Sequence, residues 1–165
     1  VFPLTDSLWL DWIKDEKKLV ENEDDRMKIY KLFQRAIEDY LSVELWVEYI
    51  QFSIGGMGDP NGIENVRSIC EKAISSLASL HVNKGFLIWS VYREFETAIL
   101  AGQHQSYAGT IQNEQQTKEL NEQLERIYRI YKMQLSVCLD NVTETYNELK
   151  EFDEVKANSS EIKSI

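Results

Sequence analysis

The sequence predicts an all-α protein of stacked helix pairs, and three observations carry that prediction. Residues 88–96 read Ile88-Trp89-Ser90-Val91-Tyr92-Arg93-Glu94-Phe95-Glu96, with Trp, Tyr and Phe at intervals of three. Three residues advance a helix by about 300°, so the rings form one drifting stripe on a helix face. The pattern then recurs: Leu45-Trp46-Val47-Glu48-Tyr49-Ile50-Gln51-Phe52-Ser53 repeats the three rings, and Leu8-Trp9-Leu10-Asp11-Trp12-Ile13-Lys14-Asp15-Glu16 keeps two rings and the closing acid. Tyr146, Leu149, Phe152 and Asp153 form a weaker fourth copy. Finally, a second element alternates with the first, at Leu32-Phe33-Gln34-Arg35-Ala36-Ile37, Ile69-Cys70-Glu71-Lys72-Ala73-Ile74 and Ile130-Tyr131-Lys132-Met133-Gln134-Leu135. The spacing from Trp9 to Trp46 is 37 residues, as is that from Ala36 to Ala73, and the next interval lengthens to 43 at Trp89. A period of this size, built from two amphipathic helices, is the mark of an α-solenoid, because one repeat cannot bury its apolar face alone.

Taken in order, the first predicted helix covers 7–20, with Thr5, Asp6 and Ser7 available to cap it. The second, 25–41, follows Asp24-Asp25, acids that suit a positive helix N-terminus, and presents Ile29, Phe33, Ala36, Ile37 and Tyr40 at steps of three and four. The third covers 44–54. The fourth, 61–79, carries Ile63, Val66, Cys70, Ala73 and Leu77 in the same way. Helices at 85–101, 115–138 and 140–156 complete a set of seven, and the tail 157–165 has no strong pattern. Ala36 and Ala73 are small enough to let neighbouring helices approach closely, a packing role. Gln134 stands where the third copy should have its Ala, and a looser contact is expected there.

The motif departs from the tetratricopeptide pattern, which places Leu-Gly after the Trp and repeats every 34 residues. It resembles the half-a-TPR, or HAT, repeat of RNA-processing scaffolds. There the first helix carries Trp, Tyr and Phe-Glu, and the second a basic residue followed by Ala. On that resemblance the structural motif residues are Trp9, Trp12 and Glu16, then Arg35 and Ala36, then Trp46, Tyr49 and Phe52, then Lys72 and Ala73, and then Trp89, Tyr92, Phe95 and Glu96. Glu96, like Glu16, is expected to tie neighbouring helices together. Many HAT repeats place a Pro after the second helix; this chain has only Pro3 and Pro60 and reads Leu41-Ser42-Val43-Glu44 there, so the turn is made without one.

The stretches Phe2-Pro3-Leu4-Thr5-Asp6-Ser7-Leu8-Trp9-Leu10-Asp11-Trp12, Gly55-Gly56-Met57-Gly58 and Val91-Tyr92-Arg93-Glu94-Phe95-Glu96 sharpen the resemblance. With the order of the repeats, they are similar to the N-terminal HAT region of the spliceosomal U4/U6 snRNP recycling factor family, from about residue 2 to 153. The resemblance implies a right-handed α-solenoid with repeats at about 7–41, 44–79 and 85–138 and a first helix of a fourth at 140–156. It also implies a nuclear, non-catalytic scaffold for snRNP proteins, ubiquitin-specific proteases and histones, with possible self-association. A HAT scaffold of another pathway, messenger-RNA 3′-end processing or ribosomal-RNA maturation, is the alternative within the same architecture; a direct RNA-binding module is the alternative outside it.

Composition bounds the function further. Eighteen basic against twenty-eight acidic residues leave a net charge of −10, which opposes nucleic-acid binding, where Lys and Arg must neutralise phosphates. An acidic solenoid suits an extended or basic protein segment instead. At 165 residues and 43% hydrophobic content, the chain is the size of one domain and can fill a continuous core. Both edges read as cut, so the chain is expected to be an excised piece. Cys70 and Cys138 have no metal or redox spacing, and Cys70 lies on an apolar stripe, which points to structural thiols in a reducing compartment. No signal peptide or long apolar run is present in the sequence, so Asn141-Val142-Thr143 and Asn158-Ser159-Ser160 are read as chance glycosylation matches.

The candidates for chemistry are thin. Gly55-Gly56-Met57-Gly58-Asp59-Pro60-Asn61-Gly62 suggests a phosphate cradle, but no Lys-Ser/Thr follows, no strand precedes, and Asp59 would repel an anion. A turn between helices is the expected role. His81 and His104 fall in loops, far from any ligand spacing. Glu94 and Glu96 share a helical turn without a nucleophile or base partner, the pattern of a solvated acidic face. No catalytic, cofactor or metal site is read here, and no partner-binding residue can be singled out.

Overall fold

A computed structural model describes residues 4–78, 83–108, 113–137 and 139–161, with the side chains of 77–78 and 156–161 left aside. Among these residues all regular structure is helical, in seven α-helices: α1 (Asp6–Lys17), α2 (Glu23–Asp39), α3 (Val43–Ile54), α4 (Gly62–Ala73), α5 (Phe86–Tyr107), α6 (Glu114–Leu135) and α7 (Val142–Glu161). His81, Cys138, the Leu77 side chain and the tail residues 162–165 lie outside the description. Two compact units divide the chain, Val1–Ile88 and Trp89–Ile165.

In the first unit α1 packs on α2 and α3, α2 on α3, and α3 on α4. Two of its helices are capped by the side chain of the residue just before them. Asn22 caps α2 by accepting the Asp25 N–H at 2.9 Å, with Glu23, Asp24 and Asp25 in the first turn where the helix dipole favours acids. Thr5 precedes α1 but makes no side-chain cap. The turn that lacks a proline is made by extended backbone at Tyr40 (φ −144°) and Ser42 (φ −131°), and the Ser42 hydroxyl then caps α3 at Leu45. Tyr40 is therefore 41% exposed, against its expected place on the buried stripe. Likewise Ile63 is at the surface and Ile69 takes its place beside Val66, Cys70 and Ala73 in the core. α4 continues as a π-helical turn, Ile74–Ala78, which accounts for the predicted span to 79.

The core of this unit is aromatic. Phe33 stacks on Tyr49 with centroids 4.9 Å apart, and Tyr30 meets Phe52 edge-on at 5.2 Å. Such pairs add about 0.5–1.5 kcal/mol beyond area burial. Ala36 and Ala73 are fully buried, as close helix approach demands.

In the second unit α6 packs on α7. α5 runs six residues past its expected end at 101, to Tyr107. α6 opens with a capping box: the Gln116 N–H donates to Asn113 Oδ1 at 2.8 Å, and the Asn113 N–H to Gln116 Oε1 at 3.1 Å. The described part of the stretch between the predicted helices is thus largely helical, 102–107 in α5 and Glu114 in α6. Leu100, Leu120, Ile127 and Tyr131 form a buried cluster with Tyr107, Leu124, Leu149 and Phe152 packed around it.

The connection from α3 to α4 is a close backbone crossing. Asn61 sits in the left-handed region (φ 62°), and a Cβ on Gly62 would lie 2.4 Å from the Gly56 carbonyl oxygen. Gly62→Ala should destabilise by about 1–3 kcal/mol in chemical denaturation. Gly58→Ala, where a Cβ meets nothing within 4 Å, should leave the midpoint near wild type.

Trp46 and Trp89 are 3% and 1% exposed. Replacing either by Ala should cost about 3–5 kcal/mol. A midpoint equal to wild type in urea would overturn their place in the core. Among the described residues their buried indole N–H groups have no hydrogen-bond partner, so Trp89→Phe, which keeps an aromatic ring in the space, should cost clearly less than Trp89→Ala.

Candidate protein-binding surface

The repeated motif builds the interior. Trp9, Ala36, Trp46, Tyr49, Ala73, Trp89, Tyr92, Phe95 and Glu96 are all buried, while Phe52 is half-buried. Trp12 departs from the pattern. Its ring is 40% exposed, stacks on Trp9 at 5.3 Å and donates its indole N–H to Glu16 at 3.1 Å.

Glu16 thus bonds within its own helix, correcting the expectation that it ties neighbouring helices. A first helix with no third ring leaves that acid at the surface. Glu96 does make the tie: its carboxylate and backbone oxygen each accept from the Gln123 amide of α6 at 2.7 Å. It is fully buried, so only Glu94 belongs to a solvated face. Arg35 lies over the Trp9 ring at 5.7 Å, and Lys72 is exposed.

Gln134 corrects a second expectation. Rather than loosening the contact, its side chain is 1% exposed, accepts from Arg93 and donates to the Thr145 hydroxyl at 3.0 Å. A polar side chain fills the space that a missing Ala would have closed.

The glycine segment holds a cation rather than an anion. The Arg26 guanidinium donates to the Phe52 carbonyl oxygen at 2.8 Å, covers the Phe52 ring at 4.7 Å and stands 4.0 Å from Asp59. A Cβ on Gly56 would come within 2.5 Å of it. Arg26 therefore satisfies a C-terminal carbonyl of α3 and locks the turn. Sequence reasoning missed this partner because Arg26 lies 26 residues from Phe52 and belongs to neither repeated element.

With the motif inside, recognition falls to the remaining surface. The first unit has a cleft of about 600 Å³ between α1 and α3. Leu10, Ile13, Val47 and Leu87 supply its apolar lining, and Asp11, Lys14, Lys17, Glu44 and Glu48 its charged edge. Lys17 pairs with Glu48 at 3.2 Å. Lys84 pairs with Glu44, and that hydrogen bond holds the Glu44 carboxyl below its ordinary value. Among the described residues Asp11 takes no ion pair or hydrogen bond, leaving its carboxylate available to an incoming cation. Neither unit is basic: residues 1–88 hold fifteen acids and ten bases, and residues 89–165 thirteen and eight. Cys70 is buried in the core of the first unit, and no group of three or more metal-ligating side chains is found among the described residues. No helix there is long and apolar enough to cross a membrane.

Residues 1–113 match the family model described as PRP39 N-terminal HAT repeat. A Danio rerio protein named Spliceosome associated factor 3, U4/U6 recycling protein, is 49% identical over 152 residues, covering 92% of this chain and 16% of its own length. The Mus musculus and Homo sapiens proteins of that name are 38% and 36% identical over 154 residues, 93% of this chain and 14% of theirs. The chain therefore spans 14–16% of the length of these relatives. The chain belongs to the HAT-repeat family, as a PRP39 N-terminal HAT repeat.

Proposed function

We propose that this chain is a non-catalytic protein-binding scaffold of nuclear pre-mRNA splicing that serves U4/U6 snRNP recycling. The observation that carries this reading is the 36–49% identity, over more than nine-tenths of the chain, to proteins named as U4/U6 recycling factors. Its physical side is consistent with that identity. The recurring side chains of the repeat are spent mostly on packing, while the surface combines net negative charge with an apolar cleft whose edge includes the unengaged Asp11. Such a surface attracts basic protein segments and repels the phosphate backbone of RNA. Within that role the partners are snRNP proteins, together with recruited proteins such as ubiquitin-specific proteases or histones.

The test is capture from nuclear extract on the immobilised chain, with and without ribonuclease, read by mass spectrometry. U4/U6 proteins retained after ribonuclease support the scaffold; loss of every bound protein on ribonuclease treatment overturns it in favour of RNA-mediated contact. Asp11→Lys, which reverses a charge at the cleft edge, should lower retention several-fold while leaving the unfolding midpoint unchanged, since an exposed site contributes little to stability.

A further inference from the structure

The later rings of the repeated motif lie under the helix that precedes them. In α3, Tyr49 is stacked by Phe33 of α2 with centroids 4.9 Å apart, and Phe52 has Tyr30 and Phe33 at 5.2 and 5.7 Å. The same clamp recurs in the other unit, where Tyr128 and Tyr131 of α6, again three residues apart, stand 5.4 and 6.1 Å from Phe152 of α7. Tyr128 also donates to Asp153, the residue after that ring. In each case one helix lays rings at i and i+3 across the next motif helix.

In α1 the equivalent face is bare. Trp12 holds the place of Tyr49, and Asp15 and Glu16 hold the places of Phe52 and Ser53. Tyr49 is 4% exposed, whereas Trp12 is 40% exposed, and Leu8 and Leu4, one and two turns before it on the same side, are exposed as well. The residues that α1 buries are Trp9 and Ile13. The Trp12 ring is nonetheless held in place, stacked on Trp9 and bonded through its indole N–H to Glu16, so it has little side-chain freedom left to lose on binding.

The clamp defines what fits there. A covering helix lays a large apolar side chain on Trp12, as Phe33 lies on Tyr49. Three residues earlier, where Tyr30 meets Phe52, it faces Asp15 and Glu16 instead of a ring. An apolar group at that point would desolvate carboxylates without pairing them, whereas Lys or Arg would form charge-assisted bonds. Asp15 now pairs with Lys18 at 2.7 Å, but both side chains are more than half exposed, and such a pair is weak enough to exchange. A second copy docked through its own α1 would bring Asp11, Asp15 and Glu16 against the same acids, which disfavours self-association through this face.

We propose that the Leu8, Trp12 and Asp15 face of α1 is a docking surface for a helix of a partner protein that carries Lys or Arg three residues before a large apolar residue, seated as α2 sits on α3. This rests on the protein-binding reading above and adds to the cleft a second surface with a stated recognition pattern.

The probe is a helix-stabilised peptide of residues 23–39, the helix that covers α3, carrying Tyr30→Arg and a fluorescent end. It is titrated with the 165-residue chain and read by anisotropy. Binding should saturate in the micromolar range and weaken about tenfold or more when the peptide carries Tyr30→Glu instead. In the chain, Trp12→Ala and Asp15→Lys should each weaken it by about the same factor. Asp15→Lys changes an exposed site and should keep the wild-type unfolding midpoint, so the test holds even if loss of the Trp12 ring unsettles Trp9. Absence of binding, equal affinity for the Arg and Glu peptides, or an affinity that both chain variants leave intact overturns the surface. A dimer in sedimentation that Trp12→Ala abolishes would assign the face to a second copy, and a photo-cross-link from position 8 to residues of its own chain would assign it to this polypeptide; either result also overturns the proposal. Peptide binding that fails while U4/U6 proteins are still retained from nuclear extract sinks this surface alone and leaves the scaffold reading standing.

Discussion

The burial of one large indole on the first helix of each pair is the constraint on which the rest of this molecule depends. Trp9, Trp46 and Trp89 are 1–3% exposed, and a ring of that size can be removed from water only if neighbouring helices close over it. Closure in turn explains the small residues: Ala36 and Ala73 are buried completely because a larger side chain would hold helices apart. It also explains Arg26. With α2 drawn against α3, its guanidinium reaches the carbonyl of Phe52 and the space over Gly56, and the connection to α4 is built around it. The unbonded indole N–H groups show that the tryptophans are used for bulk rather than for their polar edge.

The same architecture tolerates two ways of joining helices. In the first unit aromatic stacking carries the joint, as between Phe33 and Tyr49. In the second, Arg93, Glu96, Gln123 and Gln134 supply a network in which each polar group has a partner on another helix. Buried polar networks of this sort specify one arrangement strongly, since each misplacement leaves a group unsatisfied. They add little net cohesion, because the same groups are well solvated when apart.

Much of this was legible in the linear sequence. Spacing of three and four placed all seven helices, because a helix buries one face and its period survives in the order of residues. The 37-residue interval measured on two landmarks identified the repeat, and its Trp-Tyr-Phe-Glu pattern pointed to the HAT family. Errors arose where a helix ends. Tyr40 and Ile63 fit the stripe by spacing, but lie where the chain turns outward, and periodicity does not register the turn.

What the sequence by itself determined, then, is the helical class, the repeat and most of the buried stripe, all of which follow from local periodicity. Only the tertiary structure decided which polar residues are interior. Glu94 and Glu96 stand two residues apart and look alike in sequence, yet one is solvated and the other fully buried on Gln123. Gln134 read as a gap in the motif and proved to be a link between three helices through Arg93 and Thr145. The reason is physical: burial of a polar group depends on a partner that satisfies it, and those partners lie 11 to 41 residues away, beyond the reach of any local pattern.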